Sequence, residues 1–307
     1  MTCTNPLLAY RKTNGGINFM RKSDYDAPHA HKLLIACGKC SPCKKKKAKT
    51  WAIRMENEAK MHTENSFVTL TFNDEHLPKH NTLRLEDPQK FLKRLRKLIA
   101  KTDKDKKIKA FYCGEYGTKQ GRAHYHLCIF GWIPHDMILY KRADTGNIYT
   151  SKTLEKLWPY GFCTVSEFTP ANAQYTANYV LKDDGLDSLT DYQCVDQATG
   201  ELIQRLPPFQ RMSLRPAIGF GFYEKYKDDY LTTDAFRSGG KVMPTPDAYL
   251  RKLKKDDPDH YEAIKLNRHN KAVEYAESNP HLSTLYGLDA VETITNQRIK
   301  NQKREIS

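Results

Sequence analysis

The stretch Ile108–Trp132, IKAFYCGEYGTKQGRAHYHLCIFGW, decides the architecture of this chain. Two runs with strand character, IKAFYCGEYG and RAHYHLCIFGW, flank TKQG, a polar, glycine-ended segment that reads as a hairpin turn. If residues 118–121 form the turn, pairing partners share a constant index sum and Glu115 lies opposite His124. Opposed side chains share a face and stand about 5 Å apart at Cβ. Alternation sends His124 and His126 to one face and Tyr125 to the other. Two imidazoles and a carboxylate then converge on one face, with open positions for substrate oxygens. A mixed N/O set of this kind can hold Mg²⁺ or Mn²⁺ as a Lewis acid, as phosphodiester chemistry requires. Spacing alone proves little: His29-Ala30-His31 repeats it without any such context.

Working outward, SFVTLTF (Ser66–Phe72) reads as a buried strand. FLKRLRKLIAK (Phe91–Lys101) carries an apolar stripe at Phe91, Leu92, Leu95 and Leu98/Ile99, so a helix near Asp87–Lys101 has one buried and one strongly positive face. After the hairpin, GFCTVSEF (Gly161–Phe168) is a further strand candidate and leads into NAQYTANYVLKDD (Asn172–Asp184), read as a helix. The order strand–helix–strand–strand–strand–helix implies an α+β domain with a central, mostly antiparallel sheet. Three segments are expected: a basic, cysteine-marked N-terminal segment (1–62), the core (63–184), and a loop and helical C-terminal extension (185–307). PPFQRMSLRPAIGFGFYEKY is expected to be ordered loop with a short helix.

The balance of 50 Lys+Arg against 36 Asp+Glu, +14 overall, points to a polyanionic partner, nucleic acid first. Lys44, Lys45, Lys46 and Lys47, and Lys93, Arg94, Arg96 and Lys97, are the candidate DNA contacts. No apolar run approaches the roughly 18–20 residues of a membrane span. MTCTNPLLAYRKTNGG has no apolar signal block, so the protein is expected to stay in the compartment where it is made. Of eight cysteines, Cys37, Cys40 and Cys43 form C-x-x-C-x-x-C. With Cys3 they could make a tetrahedral thiolate zinc site; unmetallated thiols and an iron–sulfur cluster are the competing readings.

Tyr175, Tyr179 and Lys182 fall at i, i+4 and i+7, one face of a helix. Tyr226 and Tyr230 have the same spacing in acidic surroundings with no metal-site partner, and read as structural. A phenol, with an ordinary pKa of about 10, needs its charge stabilised to act as a nucleophile, and a metal and a lysine could do that.

H-hydrophobic-H on a strand followed by Y-x-x-x-Y-x-x-K resembles the HUH endonuclease superfamily. The two-tyrosine form looks like the rolling-circle replication initiators of microviruses. MTCTNPL, CGKCSPC before a Trp-bearing basic helix, FVTLTF, GEYG before HYH, and RPAIG resemble the gokushovirus branch. The likeness spans most of residues 1–230. It implies a ferredoxin- or RRM-like α+β core, His124 and His126 as metal ligands with Glu115 third, Tyr175 and Tyr179 as nucleophiles, and Lys182 as a phosphate- or phenolate-stabilising cation. Asn178 departs from relatives that carry a basic residue between the tyrosines. The implied activity is metal-dependent nicking of single-stranded origin DNA through a 5′-phosphotyrosine, with re-ligation, in the host bacterial cytoplasm. No Walker-type GxxxxGK[ST] is present, so a host helicase, with the host polymerase, is an expected partner. The rival readings are a non-catalytic RRM-like nucleic-acid binder, and another HUH enzyme such as a plasmid initiator, relaxase or transposase.

Overall fold

Alternation along the strands decides which helices can cover which face of the sheet. The computed structural model describes residues 3–11, 16–19, 32–117, 120–143, 146–178, 192–196, 198–238 and 241–304. Contacts divide the chain into two units, residues 48–252 and residues 1–47 with 253–307. In chain order come β1 (Leu7–Arg11), β2 (Ile17–Phe19), β3 (Lys32–Ile35), helix α1 (Ser41–Ala59), β4 (Asn65–Thr71) and helix α2 (Glu86–Thr102). The hairpin β5 (Lys109–Tyr116) and β6 (Ala123–Phe130) follows, then a second, β7 (Met137–Ala143) and β8 (Gly146–Ser151). Short helix α3 (Lys152–Leu157) leads to β9 (Cys163–Glu167) and helix α4 (Pro170–Ala177). Beyond these lie β10 (Gln193–Val195), β11 (Leu202–Gln204), β12 (Phe209–Met212), α5 (Phe220–Leu231), β13 (Ala235–Ser238) and β14 (Lys241–Pro244). Helices α6 (Asp247–Asp256), α7 (Pro258–Ser278) and α8 (Leu285–Arg304) end the described chain.

The larger unit is built on a seven-stranded sheet in the order β12-β5-β6-β4-β9-β8-β7. Its ladders are antiparallel throughout. The protein is therefore α+β with a central antiparallel sheet, as the element order implies. Strand β6 occupies the middle because both of its faces are apolar. Tyr125, Leu127 and Ile129 pack on one side with Phe91, Leu92, Leu95 and Ile99 of α2. Cys128 and Phe130 pack on the other with Ala48, Ala52 and Met55 of α1 and with Ala173 and Ala177 of α4. Alanines at these helix positions let two helices lie close against the same sheet face. Lys93, Arg96 and Lys97 of α2 are exposed, so that helix has the two faces its pattern implies.

Several elements went unread in the sequence. Hairpin β7–β8 forms one edge of the sheet, and β12 forms the other by pairing with β5. Strand β12 lies within the segment expected to be loop and short helix. The expected N-terminal segment contributes a three-stranded sheet, β2-β1-β3, and α1, whose later turns cover the main sheet.

The RPAIG turn is anchored to α1 by a buried polar network. Both Nε and Nη2 of Arg54 donate to the Ile218 carbonyl, at 3.0 and 2.9 Å. Glu58 accepts from Gly219 N at 2.7 Å and pairs with Lys109 of β5 at 2.9 Å. Tyr249 Oη donates to the Gly219 carbonyl at 2.8 Å. Gly219 is left-handed at φ 82°, and a Cβ there would meet Tyr249 Oη at 2.4 Å. Gly200 shares the left-handed backbone, φ 73°, but has nothing within 4 Å of a Cβ. Gly200→Ala is therefore expected to cost about 1–2 kcal/mol, and Gly219→Ala that much plus a further ~1–3 kcal/mol of steric strain. Urea unfolding of the two variants checks the difference.

Candidate active site

The β5–β6 register sets Glu115 opposite His124 and Cys113 opposite His126. On its other side β6 pairs with β4, which brings Thr71 to His124 and Thr69 to His126. All these side chains point to the face covered by α1 and α4. His124 Nε2 lies 2.9 Å and His126 Nε2 2.8 Å from the same atom, Glu115 Oε1. The three ligand atoms all lie within 4.8 Å of one another. Ligands about 2.1 Å from an ion on adjacent corners of an octahedron stand about 3 Å apart, so the observed spacing fits Mg²⁺ or Mn²⁺.

The ring orientations agree with that fit. His124 Nδ1 is 3.1 Å from the Arg122 carbonyl, which can only accept, so Nδ1 carries the hydrogen. His126 Nδ1 is 3.0 Å from Thr69 Oγ1. With Nδ1 occupied in this way, each neutral ring presents its Nε2 lone pair to the shared position, as a metal-ligating histidine must. Phe67 stacks over His126 at 5.5 Å between centroids and 6° between planes, fixing the ring further. Burial works to raise the Glu115 carboxyl, but hydrogen bonds from His124 and His126 outweigh it and hold the group well below the usual carboxylate range. Glu115 is thus an anion, 4% exposed, in the centre of the cluster.

Helix α4 delivers a phenol to the same point. Thr169 caps it in a reciprocal box with Asn172, and Pro170 stands in its first turn. Ala173 and Ala177 are fully buried against the sheet. Tyr175 Oη donates to Glu115 Oε1 at 2.9 Å and lies 3.3 Å from His126 Nε2. Its ring meets His126 edge-on at 5.1 Å. The described helix stops at Ala177, with Asn178 as its C-cap. Tyr179 and Lys182 lie outside the described residues, as do His29 and His31. Beside His124 a cleft of about 520 Å³ is lined by Thr71, Phe72, Gly117, Gln120, Arg122 and Ala123. Arg122 there pairs with Asp74 at 2.6 Å and donates to the Phe72 carbonyl at 3.0 Å. An N/O metal set, a phenol and an open cleft together can support metal-assisted nucleophilic displacement.

The candidate DNA-contacting cations are placed differently. Lys93, Arg96 and Lys97 lie on α2, across the sheet from the cluster. Arg94 turns inward, donating to the Leu157 carbonyl at 2.8 Å and covering the Tyr160 ring at 5.4 Å. Lys44, Lys45, Lys46 and Lys47 occupy the first turns of α1, Lys46 and Lys47 exposed.

In the smaller unit Cys3, Cys37, Cys40 and Cys43 bring their sulfurs within 4.8 Å of one another. Zn–S bonds of about 2.3 Å at tetrahedral angles place sulfurs about 3.8 Å apart. The Cys3–Cys37 and Cys3–Cys40 separations are 3.6 and 3.8 Å. Backbone amides of Cys37 and Cys40 donate to the sulfurs of Cys3 and Cys37, each at 3.3 Å, a pattern that favours thiolates. Burial pushes the Cys3 thiol up, whereas at Cys40 burial is outweighed by hydrogen bonds from Thr4 and Cys43, bringing it down to about 6. Glu292 of α8 contacts Thr4 Oγ1 and Ser41 N, tying that helix to the cluster's two ends.

Residues 65–184, which hold the Glu115 cluster and Tyr175, match the family model for Replication-associated protein ORF2. Replication-associated protein ORF4 of Chlamydia phage 1 is 36% identical over 174 residues, covering 54% of this chain and 43% of that protein. Replication-associated protein VP4 of Bdellovibrio phage phiMH2K is 29% identical over 284 residues, 90% of this chain and 85% of its own. Replication-associated protein ORF2 of Spiroplasma virus 4 is 32% identical over 291 residues, 85% of this chain and 83% of its own. The chain thus spans less than half of the first relative and most of the other two. No solved structure matches significantly.

Thr69 was not legible as part of the site, and its contact yields a measurable expectation. Thr69→Val removes the oxygen that orients His126 and is expected to weaken Mn²⁺ binding about 10–100-fold, with Thr69→Ser near wild type. Isothermal titration with Mn²⁺ reads both; equal affinities for the three proteins would remove Thr69 from the site.

Proposed function

The chain belongs to the family of phage replication-associated proteins, and from that premise we propose that it initiates replication by nicking one DNA strand at the phage origin and later re-joining it. The observation that carries this reading is Tyr175 Oη, 2.9 Å from Glu115 Oε1 at the centre of the cluster. Glu115, His124 and His126 would hold Mg²⁺ or Mn²⁺, whose contribution is Lewis-acid polarisation of the scissile phosphate. Tyr175 attacks in line. A bond forms between Oη and phosphorus, the bond from phosphorus to the 3′-oxygen breaks, and the phenolic proton ends on the released 3′-hydroxyl. That hydroxyl primes synthesis while the protein keeps the 5′-phosphate as a phosphotyrosine. Because the ester energy is retained, re-ligation needs no ATP.

Glu115 accepts the phenol's hydrogen bond and so aims Oη; a carboxyl held so far below its ordinary range orients the phenol rather than taking its proton. His126, oriented by Thr69 and Phe67, lines the other side of Oη. By sequence, Tyr179 is the second nucleophile, which cuts the regenerated origin so that the new 3′-hydroxyl closes the first adduct. Lys182 stabilises phosphate or phenolate charge. A metal–phenol site of this size suits single-stranded or extruded DNA, with Lys44, Lys45, Lys46, Lys47, Lys93, Arg96 and Lys97 as candidate backbone contacts elsewhere on the protein. On this reading the protein works in the host bacterial cytoplasm with a host helicase and polymerase. No helix among the described residues is long and apolar enough to cross a membrane.

Incubated with Mn²⁺ and single-stranded origin oligonucleotide, the protein is expected to form an adduct that survives SDS. Tyr175→Phe with Tyr179→Phe abolishes it, as does Glu115→Ala in a protein that still melts cooperatively. An adduct in the double tyrosine variant, or none with any phage-origin DNA, would sink the reading.

We further assign Zn²⁺ to Cys3, Cys37, Cys40 and Cys43. Elemental mass spectrometry should find one zinc per chain, lost in Cys40→Ser together with several degrees of Tm. Iron in place of zinc, or equal zinc in the variant, rejects the assignment.

A further inference from the structure

Strand β7 and the start of β9 leave apolar rings in solvent on the face that carries the cluster. Ile138 and Tyr140 are each 60% exposed and Phe162 is 49% exposed. Tyr140 and Phe162 face each other with ring centroids 5.2 Å apart. Their address in the sheet is informative. The Phe162 carbonyl accepts from Thr71 N at 2.9 Å and Thr71 Oγ1 at 2.6 Å, and Thr71 pairs with His124. Leu70 and Cys163 pair across β4 and β9 and both enter the core on the α2 side, so their neighbours Thr71 and Phe162 take the opposite face. Phe162 is therefore two strand spacings, about 10 Å, from His124. A register shift between Leu139 and Lys141 interrupts β7 at Tyr140. Exposed Lys141 and Arg142 follow on the same strand.

We propose that Phe162 and Tyr140 form a stacking platform for the single-stranded DNA that enters the active site. Bases flanking the scissile phosphate lie on the two rings, while Lys141 and Arg142 meet the backbone. This rests on the nicking reading above. Three observations select the occupant. The rings are continuous with the face on which the phosphodiester must sit. Cations flank them, so the surface offers π faces and positive charge together, the combination that holds single strands without reading sequence. A paired duplex keeps its base faces stacked and cannot use such a surface. A second copy of the chain adding to the β7 edge is the other conceivable occupant, and the register shift and two cations on that strand oppose edge pairing. In the cleft beside the cluster, Asp74 is paired with Arg122, so its negative charge is compensated where a phosphate would approach.

The test uses full-length protein carrying Tyr175→Phe, so that binding is read without cleavage. Fluorescein-labelled oligothymidylate is titrated at fixed salt and followed by anisotropy. Phe162→Ala and Tyr140→Ala are each expected to weaken binding about tenfold, with Phe162→Trp and Tyr140→Trp retaining affinity. Both rings are exposed, so unchanged melting curves are expected. Relative to the Tyr175→Phe parent, Tyr140→Trp should add indole fluorescence that the oligonucleotide quenches. Unchanged affinity in both alanine variants, or binding without that quenching, overturns the platform. So does a dimer, seen by light scattering, that Tyr140→Ala dissolves. If wild-type protein forms the SDS-stable adduct but the added fluorescence is not quenched, the platform fails and the nicking reading stands. If it is quenched but no adduct forms, nicking fails and the platform stands as a single-strand binding surface.

Discussion

A slip of one residue between β5 and β6 would carry Glu115 to the face of α2 and leave His124 and His126 without a carboxylate. The whole catalytic half of the protein depends on that register, and the register depends on burial. Both faces of β6 are apolar, so any slip would exchange two complete sets of core contacts, with Tyr125, Leu127 and Ile129 on one side and Cys128 and Phe130 on the other. The metal ligands sit at the end of this strand, just where the apolar alternation gives way to polar residues. The core thus sets the geometry of a site that contains little apolar surface of its own.

Around that register the two faces serve different ends. One is closed by α2, whose outer side carries Lys93, Arg96 and Lys97 into solvent. The other is closed only in part. The alanines of α1 and α4 seat those helices low on β5, β6 and β4, and α4 reaches far enough to set Tyr175 against Glu115. The two candidate metal centres differ in chemistry as well as in place. A nitrogen–oxygen set suits a hard, exchangeable ion at which substrate can gain access, whereas four thiolates suit zinc held for structure. The same protein can therefore hold both without one centre capturing the other's metal.

Much of the core was legible because its signals are local. Alternation and a glycine-ended turn define the hairpin, and counting across the turn identifies Glu115 as the partner of His124. Apolar spacing identifies α2, and C-x-x-C-x-x-C marks the thiol cluster to which Cys3 belongs. The elements that went unread lack such signals. Hairpin β7–β8 shows runs of exposed apolar residues instead of alternation, and β12 has only four residues that gain strand structure by pairing with β5. Thr69 and the Arg122 carbonyl escaped for another reason. Their roles are contacts to ring nitrogens across or along the sheet, and a threonine in FVTLTF looks like any other strand residue.

By itself the sequence determined the secondary structure of the core, the residues that face each other in its hairpin, the basic character of the chain and the family to which it belongs. Each of these follows from short-range spacing or from composition, which need no knowledge of distant contacts. Only the tertiary structure decided that Tyr175 touches Glu115, that both imidazoles present Nε2 to one carboxylate oxygen, and that the α2 cations lie on the far side of the sheet. Those facts arise from β4, β6 and α4 packing together across long stretches of chain. The distance between side chains on separate elements depends on which surfaces the core buries, and no local pattern contains it.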